Sequence, residues 1–228
     1  MMALITQSIP LFPLDVVLFP GMVLPLHIFE LRYQQMVRDC VASGEPFGLV
    51  WAEEEPLTIP TDRPLVGTTA IITEVEPLPD GRFNISTVGN ERFLVRSFSY
   101  EQPYLVGDVE PYPASGAESP AVAECRPTLI HLFRRYVELL DKVADNEVSI
   151  EAIPDDATTL AYIVAVYYQC QNWRKQELLA IESIPELMRH EIELLRVENP
   201  LIEQIHRYQA LGEIPPLVAT SLAVYGLN

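Results

Sequence analysis

The first apolar run of the chain, residues 11–37, is too apolar to lie in water and too rich in proline to form one helix. Pro10 and Pro13 each remove a backbone donor and fix φ, so Ile9–Leu14 is predicted to be an edge strand rather than a central one. Pro20-Gly21 has the residues of a type II turn, because proline sets φ at the second position and glycine accepts positive φ at the third. The pattern predicts a strand followed by a reversal.

After this turn the hydrophobic period changes from that of a strand to that of a helix. Residues Val23–Ile28 alternate, which predicts a strand covered on one face, with His27 pointing outward rather than binding a metal. From Glu30 the period is helical, and Gly44 is predicted to end the helix. The predicted apolar stripe of this helix is Tyr33, Met36, Val37, Cys40 and Val41, opposed by Gln34, Gln35, Arg38 and Asp39.

Several short strands are predicted in the next stretch. Ala70–Leu78 and Arg82–Val88 flank Asp80-Gly81, which is the pattern of a two-residue hairpin loop. A second turn is predicted at Gly89-Asn90, and two further strands at Arg92–Phe98 and Tyr104–Val109. Strands at this spacing indicate a compact antiparallel, barrel-like sheet.

The second half of the chain has a helical period. Asp155 or Asp156 can cap a helix that is apolar on nearly all sides, and Ser183 to Glu186 has the spacing of a capping box. The helix that starts there is predicted to run to about Glu198, where Asn199-Pro200 breaks or restarts it. A further apolar stripe consists of Leu129, Leu132, Phe133, Tyr136, Val137 and Leu140.

These patterns predict an α+β fold in which a barrel-like β domain with one helix precedes a helical bundle. The expected limits are residues 1–112 for the β-rich part, 113–123 for a linker rich in proline and small residues, and 124–228 for the bundle with an apolar tail. That tail, Ile214–Asn228, is shorter than a transmembrane helix. It is predicted to dock on its own domain rather than to form an exposed arm.

The charge of the chain argues against two classes of partner. The formal net charge is −17, from 32 acidic and 15 basic residues, so phosphate backbones and anionic lipid surfaces are repelled. Neither nucleic acid nor a membrane is therefore expected as a partner. The three cysteines, Cys40, Cys125 and Cys170, have no CxxC spacing, which favours buried thiols in a reducing, cytoplasmic protein.

The sequence contains no motif of catalysis or cofactor binding. There is no Gly-Lys pair for a phosphate-binding loop, no GxSxG elbow and no HExxH pair. The two lysines, Lys142 and Lys175, lie in ordinary helical contexts. The four histidines, His27, His131, His190 and His206, lack the spacing of metal ligands. We therefore predict no catalytic, cofactor-binding or metal-binding residues, and the sequence does not identify partner-binding residues.

Three segments carry a family resemblance. The run LFPLDVVLFPGMVLPLHIFELRYQQMV, then FGLV at Phe47–Val50, then GTTAIITEVEPLPDGRFNISTVGNERFLV at Gly67–Val95, together resemble the amino-terminal LON domain of Lon-type proteases. The later stretches DDATTLAYIVAVYYQC and KQELLAIES also resemble the helical part of that domain, so the resemblance extends from about Ile9 to about Glu198. It implies a stand-alone recognition domain without the ATPase and peptidase modules of those proteases, comparable to the LON domain within cereblon.

The expected function is therefore non-catalytic recognition of polypeptide segments or of a protein partner, linked to proteolysis or protein quality control. Sheet edges, and an apolar cleft beside the helical half, would serve this function. The alternative is a structural subunit that assembles with copies of itself or with a larger complex. A peptidase or another hydrolase is the third hypothesis, and it requires an arrangement of residues that spacing does not show.

Overall fold

The computed structural model describes residues 6–53, 57–60, 62–144 and 152–211 of the protein. Its strands are β1 (Gln7–Leu14), β2 (Val23–Ile28), β3 (Phe47–Trp51), β4 (Val66–Pro77), β5 (Phe83–Ser99) and β6 (Leu105–Pro111). Its helices are α1 (Leu31–Ser43), α2 (Pro120–Ala144), α3 (Ala157–Tyr167), α4 (Asn172–Ala180) and α5 (Ile184–Leu211).

The chain divides into two compact units. The sheet unit consists of Met1–Pro113 with Asn172–Ala180, and the helical unit consists of Ala114–Gln171 with Ile181–Asn228. Helix α4 thus belongs to the sheet unit, although its sequence lies between the helices of the other unit. Helix α2 begins at Pro120, inside the segment predicted as a linker. The domain limits derived from the sequence stay a prediction.

The described strands form one sheet in the order β2-β5-β4-β3-β1-β6, and β6 also pairs with β5. This confirms the α+β class and the barrel-like arrangement. The sheet is mixed rather than antiparallel throughout, because β1 and β3 run parallel. It is not a strict barrel, since β2 pairs with β5 alone.

Strand β1 lies inside the sheet, so the prediction of an edge strand was wrong. It pairs with β6 over Gln7–Leu11 and with β3 over Leu11–Leu14. The two ladders share only Leu11. Pro10 and Pro13 therefore each lie where β1 is paired on one side, and a missing backbone donor is tolerated on the other side.

Strand β5 is continuous, so the predicted turn at Gly89-Asn90 was wrong. Gly89 instead contacts the turn at Pro20-Gly21. The amide of Gly21 donates to the Gly89 carbonyl over 2.8 Å, and the Gly89 amide donates to the Met22 carbonyl over 2.9 Å. A Cβ atom at position 89 would lie 2.2 Å from the carbonyl oxygen of Phe19. Glycine is needed here because two backbones approach each other closely.

Both remaining turn predictions concern glycines with positive φ. The type II turn is confirmed, because Gly21 has φ of 80° and the Met22 amide donates to the Phe19 carbonyl over 3.0 Å. The Leu78 amide donates to the Arg82 carbonyl over 2.9 Å, and this pair closes a loop of three residues, Pro79–Gly81, rather than the predicted two. The Gly81 amide donates to the Leu78 carbonyl over 3.0 Å, and Gly81 has φ of 85°. Proline in the second position of a type I turn, followed by a left-handed glycine, gives this longer loop.

Helix α1 has its predicted bounds and its predicted end at Gly44, where φ is 74°. Tyr33, Met36, Val37 and Cys40 are buried as predicted. Two predictions within the helix were wrong: Val41 is 54% exposed, and Gln34 is 5% exposed. The Gln34 side-chain amide donates to the Phe29 carbonyl over 2.9 Å, which allows its burial.

Two apolar clusters fill the sheet unit. One places α1 against strands β2, β4 and β5, and its buried members include Ile28, Tyr33, Met36, Val37, Ala70 and Ile85. The other includes Ile9, Leu11, Val50, Phe93 and Val109. Helix α1 therefore covers one face of the β2-β5-β4 segment.

In the helical unit, α2 and α3 both pack against α5. Five residues of the predicted α2 stripe are buried, and Leu132 is partly buried. The predicted cap is confirmed, because the Asp156 carboxylate accepts from the Thr159 amide over 2.7 Å. The predicted break at Asn199-Pro200 was wrong: α5 continues to Leu211, and its stripe stays buried at Ile202 and Ile205. The tail Ile214–Asn228 lies outside the described residues.

Candidate functional site

An exposed apolar row crosses the β2-β5-β4 segment on the face opposite α1. Val88 of β5 pairs with Val23 of β2 on one side and with Ile71 of β4 on the other, so the three side chains lie on one face of the sheet. Val23 is 64% exposed and Ile71 is 44% exposed, while Val88 is half-buried. We call this face the outer face. The row is a continuous exposed apolar strip across three neighbouring strands.

A β-bulge in β4 sets which side chains reach the outer face. Ile72 pairs with Thr87 and Glu74 pairs with Ser86, so β4 has one extra residue, Thr73, between them. The Thr73 hydroxyl donates to the Ser86 carbonyl over 3.1 Å and helps to hold this extra residue. Because of the bulge, Ile72 and Val75 both pack against the core cluster that contains α1, and Thr73 and Glu74 are both exposed.

The other end of the outer face is polar. The ring of His27 lies 2.8 Å from Asn84 Oδ1 and 3.2 Å from the Arg82 guanidinium. The Asn84 side-chain amide donates to Glu76 over 2.8 Å. Arg82 also pairs with Asp80, which lowers the pKa of that carboxyl. His27 is thus an outward strand histidine within a hydrogen-bonded chain, as its sequence pattern predicted.

Strand β4 has an open edge beside the outer face. It pairs with β3 only over Gly67–Ala70, and over Ile71–Pro77 it pairs with β5 alone. A groove of about 400 Å³ follows this edge and is bounded by the end of α1, at Val41 and Gly44, and by Pro46. The groove can accept a short extended segment, because the backbone groups on that side of β4 have no strand partner in the described part of the chain.

Carboxylates line both the groove and the outer face. Glu45 and Glu74 border the groove, and Glu74 and Glu76 border the polar end of the outer face. No lysine or arginine is among the described residues that line the groove or the depression at the polar end of the outer face. The surface is therefore both apolar and acidic.

Cys40 is buried and lines the groove, but its thiol is not activated as a nucleophile. Burial, and secondarily the carboxylate of Asp39, raise its pKa to about 11. The thiol is therefore protonated near neutral pH, which disfavours nucleophilic chemistry. The Tyr104 hydroxyl donates to the same Asp39 carboxylate over 2.8 Å and secures this end of α1 to the sheet.

A second cavity, of about 410 Å³, lies beside α4 within the sheet unit, and Trp51, Leu57 and Gln176 line it. The polar contacts here attach α4 to the sheet. The indole of Trp51 and the side chain of Asn172 both donate to Asp15 Oδ1 over 3.0 Å, which lowers the pKa of Asp15. The Gln176 side-chain amide donates to the Val66 carbonyl over 2.8 Å. The indole of Trp51 and the side-chain amide of Gln176 thus have structural partners.

The lysines and histidines singled out in the sequence lie on different elements: His27 is on β2, His131 on α2, and His190 and His206 on α5. Lys142 is exposed on α2, Lys175 lies on α4, and His190 is exposed on α5. Within the described ranges, no group of histidine, cysteine or acidic side chains is arranged to hold a metal ion. No helix in these ranges is long and apolar enough to cross a membrane. The prediction that the chain has no catalytic, cofactor or metal residues stays a prediction.

Comparison with known proteins identifies the family. The profile of the ATP-dependent protease La (LON) substrate-binding domain matches residues 8–197. The chain belongs to this family. The resemblance seen in the sequence is thereby confirmed, and it accounts for both the sheet unit and most of the helical unit.

The relatives that match this chain are longer proteins, and the match covers only a part of each. It is 25% identical over 210 residues to a Lon protease of Buchnera aphidicola, covering 88% of this chain and 27% of that protein. It is 24% identical over 225 residues to the Lon protease of Haemophilus influenzae, covering 97% of this chain and 28% of that protein. The chain thus spans about a quarter of the length of these relatives.

Two solved structures share the LON fold. A Lon N-terminal domain protein from Xanthomonas campestris superposes with a TM-score of 0.55 at 22% identity, covering 81% of this chain and 96% of that chain. The N-terminal domain of a Mycobacterium avium complex Lon protease superposes with a TM-score of 0.59 at 19% identity, covering 83% and 98%. At these identities the likeness shows the fold alone.

Proposed function

We propose that this LON domain chain is a non-catalytic recognition module that binds exposed polypeptide segments and acts in connection with proteolysis. The observation that carries this proposal is the apolar row on the outer face beside the open edge of β4. The family description, a substrate-binding domain of an ATP-dependent protease, supports the same function. A partner polypeptide is favoured over nucleic acid because carboxylates border both the groove and the polar end of the outer face.

The exposed side chains of the outer face would contribute part of the binding free energy. Covering a valine or isoleucine side chain completely stabilises a complex by about 1.5–3 kcal/mol. With Val23 64% exposed and Ile71 44% exposed, each side chain would contribute roughly 1 kcal/mol when covered. Together they account for a change in affinity of roughly ten- to thirtyfold. The rest of the binding free energy would have to come from other contacts of the bound segment, because association itself costs about 4–15 kcal/mol.

Binding of an unfolded chain tests this function. The full chain is titrated into fluorescently labelled lysozyme that has been reduced and alkylated, which is a basic unfolded polypeptide, and anisotropy is recorded. We expect saturable binding that is lost with native lysozyme, and we expect no cleavage of the labelled chain. Absence of binding to the unfolded polypeptide would contradict the recognition function, and cleavage would contradict its non-catalytic character.

A matched pair of double variants tests the surface. The variant Val23→Ser/Ile71→Ser removes the exposed ends of the row and is expected to weaken binding roughly ten- to thirtyfold. The control Val197→Ser/Leu201→Ser changes side chains that are 63% and 48% exposed on α5, and it is expected to bind as the unmodified chain does. Equal weakening in both variants would remove the outer face from the proposal. If the first variant instead abolishes self-association seen by light scattering, the outer face joins copies of this chain.

A further inference from the structure

We infer that the bound segment adds to the sheet as an extra strand along Ile71–Glu76 of β4, and that the preferred segment alternates apolar and basic side chains. This inference rests on the proposed function and adds to it the mode of binding and the class of segment. It assigns the specificity to the open edge of β4 and to two exposed carboxylates beside it, those of Glu45 and Glu74.

The backbone of β4 is available for pairing over this stretch. The β3–β4 ladder ends at the pair Phe47 and Ala70, while the β4–β5 ladder continues to Pro77. In an antiparallel pair half of the amide and carbonyl groups of a strand point away from the partner. From Ile71 onward those groups border the groove rather than a described strand. An extended segment placed in the groove can therefore form main-chain hydrogen bonds with β4.

The other open edge of this region, on β2, is less suited to the same role. Strand β2 pairs with β5 alone, but Pro25 lies at its centre, opposite Ser86. Proline has no amide hydrogen and interrupts a ladder at an edge. The stretch Ile71–Glu76 contains no proline. Between the two exposed edges, β4 is the one that keeps every backbone amide. Its bulge at Thr73 divides an added ladder into a part at Ile71–Ile72 and a part at Glu74–Glu76.

Side chains along β4 select the kind of segment. The exposed Ile71 side chain and the exposed Val41 at the end of α1 offer apolar contacts at one end of the groove. Glu74 borders both the groove and the outer face, and Glu45 borders the groove, so two carboxylates lie beside the path of an added strand. A segment with lysine or arginine at alternate positions is attracted, and an acidic segment is repelled.

The same carboxylates explain why the edge would not simply pair with another copy of this chain. Charged residues on an edge strand oppose edge-to-edge association, because like charges meet when two identical edges approach. A basic segment does not meet this opposition. The acidic edge therefore disfavours pairing between two copies of this chain and favours binding of basic, apolar segments.

Three probe peptides distinguish strand addition from other modes of binding. The first is an acetylated and amidated peptide of sequence TVKVKVT, the second replaces both lysines with glutamate, and the third carries N-methyl groups on alternate amides of the first. Each peptide carries the same fluorescent label on an added side chain outside the seven residues, the full chain is titrated into it at a concentration where the peptide is monomeric, and anisotropy is recorded. We expect the methylated and the acidic peptides to bind at least about tenfold more weakly than the first, because one loses ladder donors and the other meets like charge.

A charge-reversal pair tests the role of the edge carboxylate. Glu74→Lys is expected to reduce the preference for the basic over the acidic peptide, because Glu45 still borders the groove. Glu101→Lys, an exposed change in the same unit that borders neither depression, is expected to preserve it. Hydrogen exchange measured by NMR should show slower exchange for amides within Ile71–Glu76 when the basic peptide is bound. Unchanged exchange there, or equal binding by the methylated peptide, would overturn strand addition.

The outcomes separate this inference from the proposed function. If unfolded lysozyme binds and the methylated peptide binds as well as its parent, polypeptide recognition stands and strand addition is wrong. If the acidic peptide binds as well as the basic one, the charge preference is wrong. If neither the peptides nor unfolded lysozyme binds, both the inference and the proposed function are wrong.

Discussion

The carboxyl group of Glu191 in the helical unit makes a strong prediction about stability and pH. Glu191 lies on the buried stripe of α5, between Leu187 and Leu195, and it is 1% exposed. Neither of its carboxyl oxygens has a hydrogen-bond partner in the described part of the structure. Burial raises the pKa of this carboxyl well above its ordinary value, because the charged form loses its hydration. The folded protein therefore holds a proton that the unfolded chain releases.

This proton makes the folded state less stable as the pH rises. Below the pKa of a glutamate in an unfolded chain, about 4.3, both states are protonated and the stability is unaffected. Above that pH the unfolded chain loses the proton while the folded protein keeps it, so the free energy of unfolding falls until the pH passes the folded-state pKa. For one proton the fall is at most about 1.4 kcal/mol per pH unit.

The variant Glu191→Gln removes the ionisable group with little change in shape, and Glu193→Gln, an exposed change on the same helix, is its control. Urea unfolding is measured by circular dichroism at pH 5, 6, 7 and 8. We expect the difference in unfolding free energy between Glu191→Gln and the unmodified protein to rise with pH, at up to about 1.4 kcal/mol per unit. We expect the control to show no such rise. A difference that stays constant across this range would refute the reasoning that Glu191 is folded as a neutral acid.

Two further predictions concern glycines of the sheet unit. Gly89→Ala is expected to destabilise the fold by about 1–3 kcal/mol, since its Cβ would meet the backbone carbonyl of Phe19 and disturb both hydrogen bonds to the turn. Gly21→Val is expected to cost about 1–2 kcal/mol, because φ is 80° there and nothing lies within 4 Å of the new Cβ, so the cost is backbone strain alone. Thermal unfolding checks both, and an unchanged melting temperature in either variant would contradict the corresponding argument.

Features set by neighbours in the sequence could be predicted. The turn at Gly21, the helix α1 with its end at Gly44 and the cap at Asp156 each depend on a few adjacent residues, and the structure confirms all three. The helix stripes were largely correct for the same reason, because a period of 3.6 residues is visible in a single segment. The family resemblance was carried by sequence segments, chiefly Leu11–Val37 and Gly67–Val95, rather than by these patterns.

Features set by distant pairing could not be predicted from the same signals. Gly89 has the local appearance of a turn, but its role depends on a backbone nearly seventy residues earlier in the chain, at Phe19 and Met22. Pro10 and Pro13 have the appearance of edge residues, but the two ladders of β1 overlap only at Leu11 and so accommodate both. Glu191 was missed because a charged residue within an apolar stripe is indistinguishable in sequence from one that is solvated.

The candidate site belongs to this second group, and the bulge in β4 explains why. Strict alternation along Ile72–Val75 would place Ile72 and Glu74 on one face of the sheet and Thr73 and Val75 on the other. The extra residue instead places Ile72 and Val75 together on the core face, with Thr73 and Glu74 both exposed. Without the bulge, Glu74 would point toward α1 and its charge would have to be buried or the strand would have to shift by one residue. The bulge is therefore the feature that allows an acidic side chain and an open strand edge to occupy the same surface, and strand addition by a basic segment depends on both.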